Sequence, residues 1–122
     1  KQRVQFGKPI ISNQAIQFML AEMATDIYSA RLTVYEVARE RENGEKNYSA
    51  KSAMSKLLSS EMVGRVVDQA LQIHGGYGYM KDYAIERYYR DARILRIYEG
   101  TSEIQKMVIA AEILNGRGEV WW

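Results

Sequence analysis

The chain has no cysteine, one histidine (His74) and one proline (Pro9) in 122 residues. Without cysteine it can form neither a disulfide nor a thiolate zinc site, and a reducing compartment is compatible with it. A single histidine excludes a multi-histidine metal centre. The lone proline sits near the start, so long helices can run uninterrupted behind it. No run of about 18 apolar residues occurs, so nothing reads as a membrane span. Net charge is small as well. Seventeen basic and 15 acidic residues leave +2, too little to argue for nucleic acid or an anionic membrane as partner. The opening Lys1-Gln2-Arg3-Val4 has no Met and is not a signal peptide.

What is present is ordinary globular material, 47% apolar and 26% charged. A single domain of this length buries roughly two thirds of its unfolded surface. Behind Pro9 the apolar positions Ile16, Met19, Leu20, Met23, Ile27, Ala30, Val34, Val37 and Ala38 recur every three or four residues. That spacing predicts a helix from about Ser12 to Glu42, stopped by Asn43-Gly44. Such a helix is roughly 45 Å long at 1.5 Å per residue and needs a partner along its length. Ala53, Met54, Leu57, Leu58, Val66, Val67, Ala70, Leu71 and Ile73 predict a second helix from Ser49 to His74, stopped by Gly75-Gly76. The short connection makes the two antiparallel. A short third helix is predicted to open at Asp82, a good N-cap, and to include Ile85, Tyr88, Tyr89 and Ala92. A fourth, Ser102 to Leu114, has Ile104, Met107, Val108 and Ala111 on one face and ends at Asn115-Gly116. No stretch shows sustained strand alternation. The expected fold is all-α, an antiparallel bundle of two long and two shorter helices over residues 1–116. A tail of unassigned role, 117–122, ends in Trp121-Trp122.

Most chemical motifs here have plain structural readings. Gly76-x-Gly78 follows a helix instead of a strand and lacks the third glycine of the dinucleotide fingerprint, so it reads as a helix terminus and turn. Its bare N–H groups could still meet a phosphate. His74 fits a helix C-terminus better than a catalytic triad. Six methionines and nine tyrosines at helical spacing read as core before they read as a ligand cavity. Arg87, Arg90, Asp91 and Arg93 are either a solvated charged face or a network that fixes the segment that follows.

That following segment, Ile97-Tyr98-Glu99-Gly100-Thr101-Ser102-Glu103-Ile104-Gln105, is the most informative. Ser102 and Gln105 have capping-box spacing, which would fix the turn and hold Glu99 just outside a helix. Gly100 permits backbone geometry that a Cβ would block. A carboxylate on a fixed turn among Ile94, Leu95, Ile97 and Tyr98 suits a general base, and equally suits an acidic residue favoured near a helix N-terminus.

Four segments together carry a resemblance: Arg3-x-Gln5-Phe6-Gly7-Lys8-Pro9-Ile10, Gln14-x-x-Gln17-x-x-Leu20-Ala21-x-Met23, Gln72-Ile73-His74-Gly75-Gly76-x-Gly78-Tyr79, and Glu86-Arg87-x-x-Arg90-Asp91-Ala92 through Gln105. In this order and spacing they resemble the C-terminal helical domain of the acyl-CoA dehydrogenases. The resemblance implies an FAD flavoprotein that removes the α- and β-hydrogens of an acyl-CoA thioester. Glu99 would be the base for the α-proton, with its own backbone N–H among the donors to the thioester oxygen. Such a base works near neutral pH only when shielded from water, and the developing enolate needs donors. Tyr98 and Gly100 would border the acyl chain. Arg3, Phe6 and Gln14 match positions that face the FAD of a neighbouring subunit, and Gln72, Ile73, His74, Gly75 and Gly76 match the loop that touches its adenosine end. Thr101, Ser102 and Glu103 match contacts to the subunit's own FAD, where a helix N-terminus suits a phosphate. No metal is implied.

The family's N-terminal helical and middle β-domains are absent from these 122 residues, and so is the first helix of the C-terminal bundle. The expectation is a fragment that neither holds FAD stably nor turns over alone, and whose uncovered apolar stripe promotes self-association. The implied partners are acyl-CoA, further copies of the subunit in a dimer or tetramer, and an electron-transferring flavoprotein. The implied location is cytoplasmic in a bacterium or the mitochondrial matrix in a eukaryote. A stand-alone helical interaction module of the same ancestry is the alternative function.

Overall fold

Small side chains decide where the helices meet. Ala30, Ala50, Ala53, Ser55, Ser60, Ala92 and Ser102 are buried, and no large side chain among the described residues is fully enclosed. Residues of this size let helix backbones approach closely. In the computed structural model, which describes residues 1–45 and 48–116, four helices follow one another: α1 Gln14–Glu42, α2 Ser49–His74, α3 Ile85–Ile94 and α4 Ser102–Leu114. The predicted tail 117–122, with Trp121 and Trp122, lies outside the described residues.

The second helix is the axis of the domain, because α1, α3 and α4 all pack on it. The α1–α2 pair is antiparallel. Glu22–Gln69 (3.5 Å), Asp26–Arg65 (3.1 Å) and the Glu40–Lys51 ion pair keep one constant register along it. Glu40 is buried, and Lys51 supplies the opposite charge it needs there. At the end of α1, Gly44 takes φ +76°. Its N–H reaches Arg41 O while the Glu45 N–H reaches Glu40 O, the paired bonds of a Schellman ending. The Asn43-Gly44 stop signal acts through this geometry.

Several expectations are corrected. Residues Val4–Gln5 and Lys8–Pro9 form a small antiparallel hairpin, β1 and β2, where no strand was anticipated. Phe6 and Gly7 both have positive φ at its tip, the geometry of a type I′ turn. Helix α3 opens at Ile85 after Ala84 and has no side-chain cap, so Asp82 does not start it. Along α1 the predicted stripe is only partly inward: Met23 and Ala30 are buried, while Leu20, Ile27 and Val34 are exposed. On α4 the predicted face is largely the outer one. Ile104, Met107 and Ala111 are exposed, while Ser102 is buried and Gln105, Val108 and Ile109 are half-buried. Helix α4 is apolar on several sides, so periodicity could not choose its inward face. The tyrosines are not core either, since all but Tyr48 are exposed.

Two apolar stripes therefore face outward. Tyr28, Leu32 and Tyr35 lie one turn apart along α1, and on α4 Ile104 and Met107 lie one turn apart with Leu114 two turns further on. Contiguous exposed apolar surface of this kind marks an interaction face. The chain is expected to self-associate at tens of micromolar. A doubly substituted Leu32→Lys, Met107→Lys chain should shift toward the monomer in light scattering. A monomeric mass for the unsubstituted chain would contradict this.

Candidate functional site

The residues singled out in the sequence separate into two clusters. The first gathers at the end of the bundle where α1 begins and α2 finishes. Arg3, just before the hairpin, lays its guanidinium over the Tyr77 ring at 4.7 Å, a stabilising cation–π arrangement. Phe6 projects from the hairpin tip almost wholly exposed, and Gln14 is the first residue of α1. Gln72, Ile73 and His74 form the last turn of α2. His74 Nδ1 lies 2.7 Å from Ala70 O, and its ring meets Tyr83 edge-on at 6.0 Å. The histidine thus has the helix-terminal role anticipated for it. Gly75 and Gly76 have open space where a side chain would stand, and Gly75 has φ +60°. Gly78 differs: a Cβ there would sit 2.7 Å from Leu71 O, so the turn folds back onto α2 only with glycine.

The second cluster is the turn between α3 and α4. Glu99 has φ +52°, a left-handed conformation that costs a non-glycine residue about 1–3 kcal/mol and persists only when its surroundings enforce it. The enforcing contacts are visible. Lys56 Nζ, from α2, donates to Leu95 O (2.8 Å) and to Gly100 O (2.6 Å), gripping both ends of the turn. The Gln105 amide donates to Glu99 O and Gly100 O, each at 3.3 Å. The Ser102 N–H closes onto Arg96 O at 3.1 Å. From α2, Glu61 accepts from the Ser102 hydroxyl (2.6 Å) and from Arg96 (3.2 Å). The Ser102 hydroxyl and the Arg96 guanidinium, with Lys106 more distant, hold the Glu61 carboxyl below its ordinary value.

The cap of α4 differs from the capping box expected. Thr101, one residue earlier, is the N-cap, and its hydroxyl accepts from the Ile104 N–H at 3.2 Å. Ser102 is turned inward to Glu61, and Gln105 reaches carbonyls instead of an N–H. The Glu103 carboxyl is held below its ordinary value by its own backbone N–H and then by the Thr101 hydroxyl. That carboxylate lies at the positive end of α4, the place expected to suit a phosphate. The charge cluster on α3 takes the solvated form. Arg90 pairs with Glu86 at 3.3 Å, Arg87 lies 5.7 Å from the Tyr88 ring centre, and no ion pair among the described residues uses Asp91.

Glu99 itself is exposed, and Ile94, Ile97 and Tyr98 beside it are each nearly half exposed. The apolar neighbours expected to shield it do not enclose it within these residues. Tyr98, but not Glu99, borders a groove of about 590 Å³ between α1 and the turn, floored by Ser55, Ser59 and Met62 of α2. The Glu99 backbone N–H has no acceptor among the described residues. Glu61 contacts the turn, while His74 marks the other cluster 13 residues later on the same helix, so the two clusters lie roughly 20 Å apart. The structure does not merge them into one pocket. Among the described residues no three or more His, Asp or Glu side chains gather as a metal site would need, and no helix there is long and apolar enough to cross a membrane.

A helical bundle that presents an exposed carboxylate on an enforced left-handed turn is an unusual object, and its relatives identify its class. The family model for the acyl-CoA dehydrogenase C-terminal domain matches residues 1–114. The chain belongs to that family. It is 56% identical over 93% of its length to acryloyl-CoA reductase (NADH) of Anaerotignum propionicum, covering 29% of that protein. It is 49% identical over 94% of its length to the caffeyl-CoA reductase–Etf complex subunit CarC of Acetobacterium woodii, covering 30% of it. Butyryl-CoA dehydrogenase from Megasphaera elsdenii superposes with a TM-score of 0.91 at 45% identity, over 93% of this chain and 30% of that one. The chain thus spans less than a third of the relatives it matches.

Sequence reasoning missed Lys56, Glu61 and Arg96. Lys56 and Glu61 stood inside an apolar helical pattern where charged residues read as solvent-facing. The one available signal was their position among small residues of α2, Ser55, Ser59 and Ser60. Two outcomes follow from this turn. Gly100 has φ +89°, and a Cβ there would collide with the Gln105 amide nitrogen. Gly100→Ala should therefore destabilise the domain by about 1–3 kcal/mol in urea denaturation. Loss of Glu61 should show in pH. A carboxyl with a lowered folded pKa stabilises fully above its ordinary value of 4.5 and loses that contribution as pH falls through the folded value. The urea midpoint should fall more steeply below that pH for the unsubstituted chain than for Glu61→Gln.

Proposed function

We propose that this domain supplies the proton-transfer group of an FAD-dependent enzyme acting on acyl-CoA thioesters, with Glu99 as the base. The observation that carries this reading is the Glu99 turn, a strained backbone held by donors from α2 and α4 with its own N–H left free. Ordinary surface glutamates are not built this way. In the forward direction the Glu99 carboxylate accepts the α-proton while the Cα–H electron pair moves into the Cα–Cβ bond. The free Glu99 N–H is suited to the thioester oxygen, on which negative charge grows as that proton leaves.

The residues present fit the flavin in part. Arg3, the bare backbone of Gly75 and Gly76, and Phe6 suit the pyrophosphate and adenosine end. Thr101 and Ser102 stand beside the base. When bound, FAD supplies the acceptor for the β-hydride. The separation of the two clusters supports their serving different flavins, the first on a neighbouring subunit, and hence a dimer or tetramer. An electron-transferring flavoprotein is the redox partner of this reading, consistent with the Etf complex named for the CarC relative. Acyl-CoA is the substrate class.

A second reading concerns direction. The relative at 56% identity is named a reductase of acryloyl-CoA. Run in reverse, protonated Glu99 delivers the α-proton to an enoyl-CoA, and the same turn geometry serves. A stand-alone interaction module would have no use for the strained turn.

In an FAD-loaded enzyme carrying this domain, Glu99→Gln should slow flavin reduction by acyl-CoA about 10²–10⁴-fold, with flavin content and melting temperature unchanged. Rapid bleaching by the variant would remove Glu99 from its role. Comparing saturated with α,β-unsaturated acyl-CoA on oxidised and reduced enzyme separates the two directions.

A further inference from the structure

Lys56 sits in the middle of the domain, 39 residues before Leu95 and 44 before Gly100, and is half-buried. Its ammonium makes no ion pair among the described residues; its two acceptors are neutral backbone carbonyls. A half-buried lysine spent on carbonyls needs a reason, because the usual way to satisfy such a charge is a carboxylate. The acceptors supply one. Leu95 is the C-cap of α3, so its carbonyl stands at the negative end of that helix, where a cation is favoured. Gly100 follows Glu99 directly. One ammonium thus anchors the end of α3 and the far side of the strained residue, and spans the turn between them.

We propose that Lys56 is a positioning residue for Glu99: its bridge from Leu95 O to Gly100 O holds the 95–100 turn in the left-handed form that aims the Glu99 carboxylate and frees its N–H. The proposal deepens the reading of Glu99 as the base and rests on it for its functional meaning. Gln105 reinforces the same carbonyl of Gly100 and adds Glu99 O, but from within the segment that follows the turn. Lys56 ties the carbonyls at residues 95 and 100 to α2, the helix on which the rest of the domain packs. Glu61 and Arg96 hold the start of α4 and the middle of the turn, so they fix where the segment docks, while Lys56 fixes its conformation.

The test uses Lys56→Met, which keeps the length of the stem and removes every donor, and Lys56→Gln, which restores at most one of the two bonds. Amide hydrogen exchange of the 122-residue chain is followed by mass spectrometry. Lys56→Met should speed exchange at residues 97–102 at least tenfold while α1 and the first half of α2 are unchanged, and Lys56→Gln should fall between. In the FAD-loaded enzyme, Lys56→Met should lower kcat at least tenfold with KM moved less than threefold, and Lys56→Gln should recover part of it. Unchanged exchange at 97–102 overturns the proposal. So does a uniform rise over all helices in both variants, which would make Lys56 a general stabiliser. A fully active Glu99→Gln enzyme would instead sink the base assignment and leave the exchange result standing.

Discussion

The hydrogen bond from the Ser102 hydroxyl to Glu61, at 2.6 Å, is the contact on which the arrangement of this domain turns. It buries a hydroxyl against a carboxylate, a charge-assisted bond of the stronger kind. Ser102 is the first residue of α4, so the bond sets both where α4 begins on α2 and which way it is rotated. With Ser102 inward, Gln105 lies on the same side one turn later and its amide reaches back to the turn. Arg96, within the turn and ahead of Glu99, joins the same carboxylate, so Glu61 draws together both sides of the segment that carries Glu99. An apolar contact could not do this, because it has no direction.

The rotation of α4 shows why polar anchors matter here. Its sequence is apolar on several sides, and hydrophobic burial alone would accept more than one orientation. The orientation observed leaves Ile104 and Met107 outside, at a cost in exposed apolar surface. That cost is offset by the buried Ser102 hydroxyl, which in another orientation would lose its bond to the half-buried Glu61 carboxylate. The outward stripe is then available to another surface. The same trade appears on α1, where a buried Glu40 paired with Lys51 accompanies exposed Leu32 and Tyr35.

These features divide what was legible in the sequence from what was not. The extents of α2 and α4 follow from start and stop residues that act locally, Gly75 and Asn115-Gly116 among them. Helix α1 begins two residues later than its pattern indicates, because Ile10–Ser12 form a tighter 3₁₀ turn first. The cap at Thr101 was misplaced by one residue because Ser102 has equal capping chemistry. Only the distant Glu61 decides between them. The hairpin was hidden because two-residue strands show no alternation. The carboxylate at Glu99 was legible from its glycine and its neighbours. Its supports were not, because Lys56 and Gly100 are 44 residues apart and nothing in local spacing links them.

The strain at Glu99 then has a consistent origin. A left-handed glutamate relaxes unless the free energy of its surroundings outweighs the penalty, and here two long-range bonds to Lys56 and two from Gln105 do so. Those donors all go to carbonyls, and the N–H of Glu99 is the group left over. A turn stabilised through its carbonyls presents its free N–H and its side chain outward together. That pairing of an acceptor for a proton with a donor for an oxygen is what removal of a proton next to a carbonyl requires. The shielding from water that such chemistry also needs is not built into these residues, since Glu99 stays exposed. With Glu99 as the proposed base, that shielding would have to come from a second surface closing over the turn, and the part of these residues is to hold the turn itself.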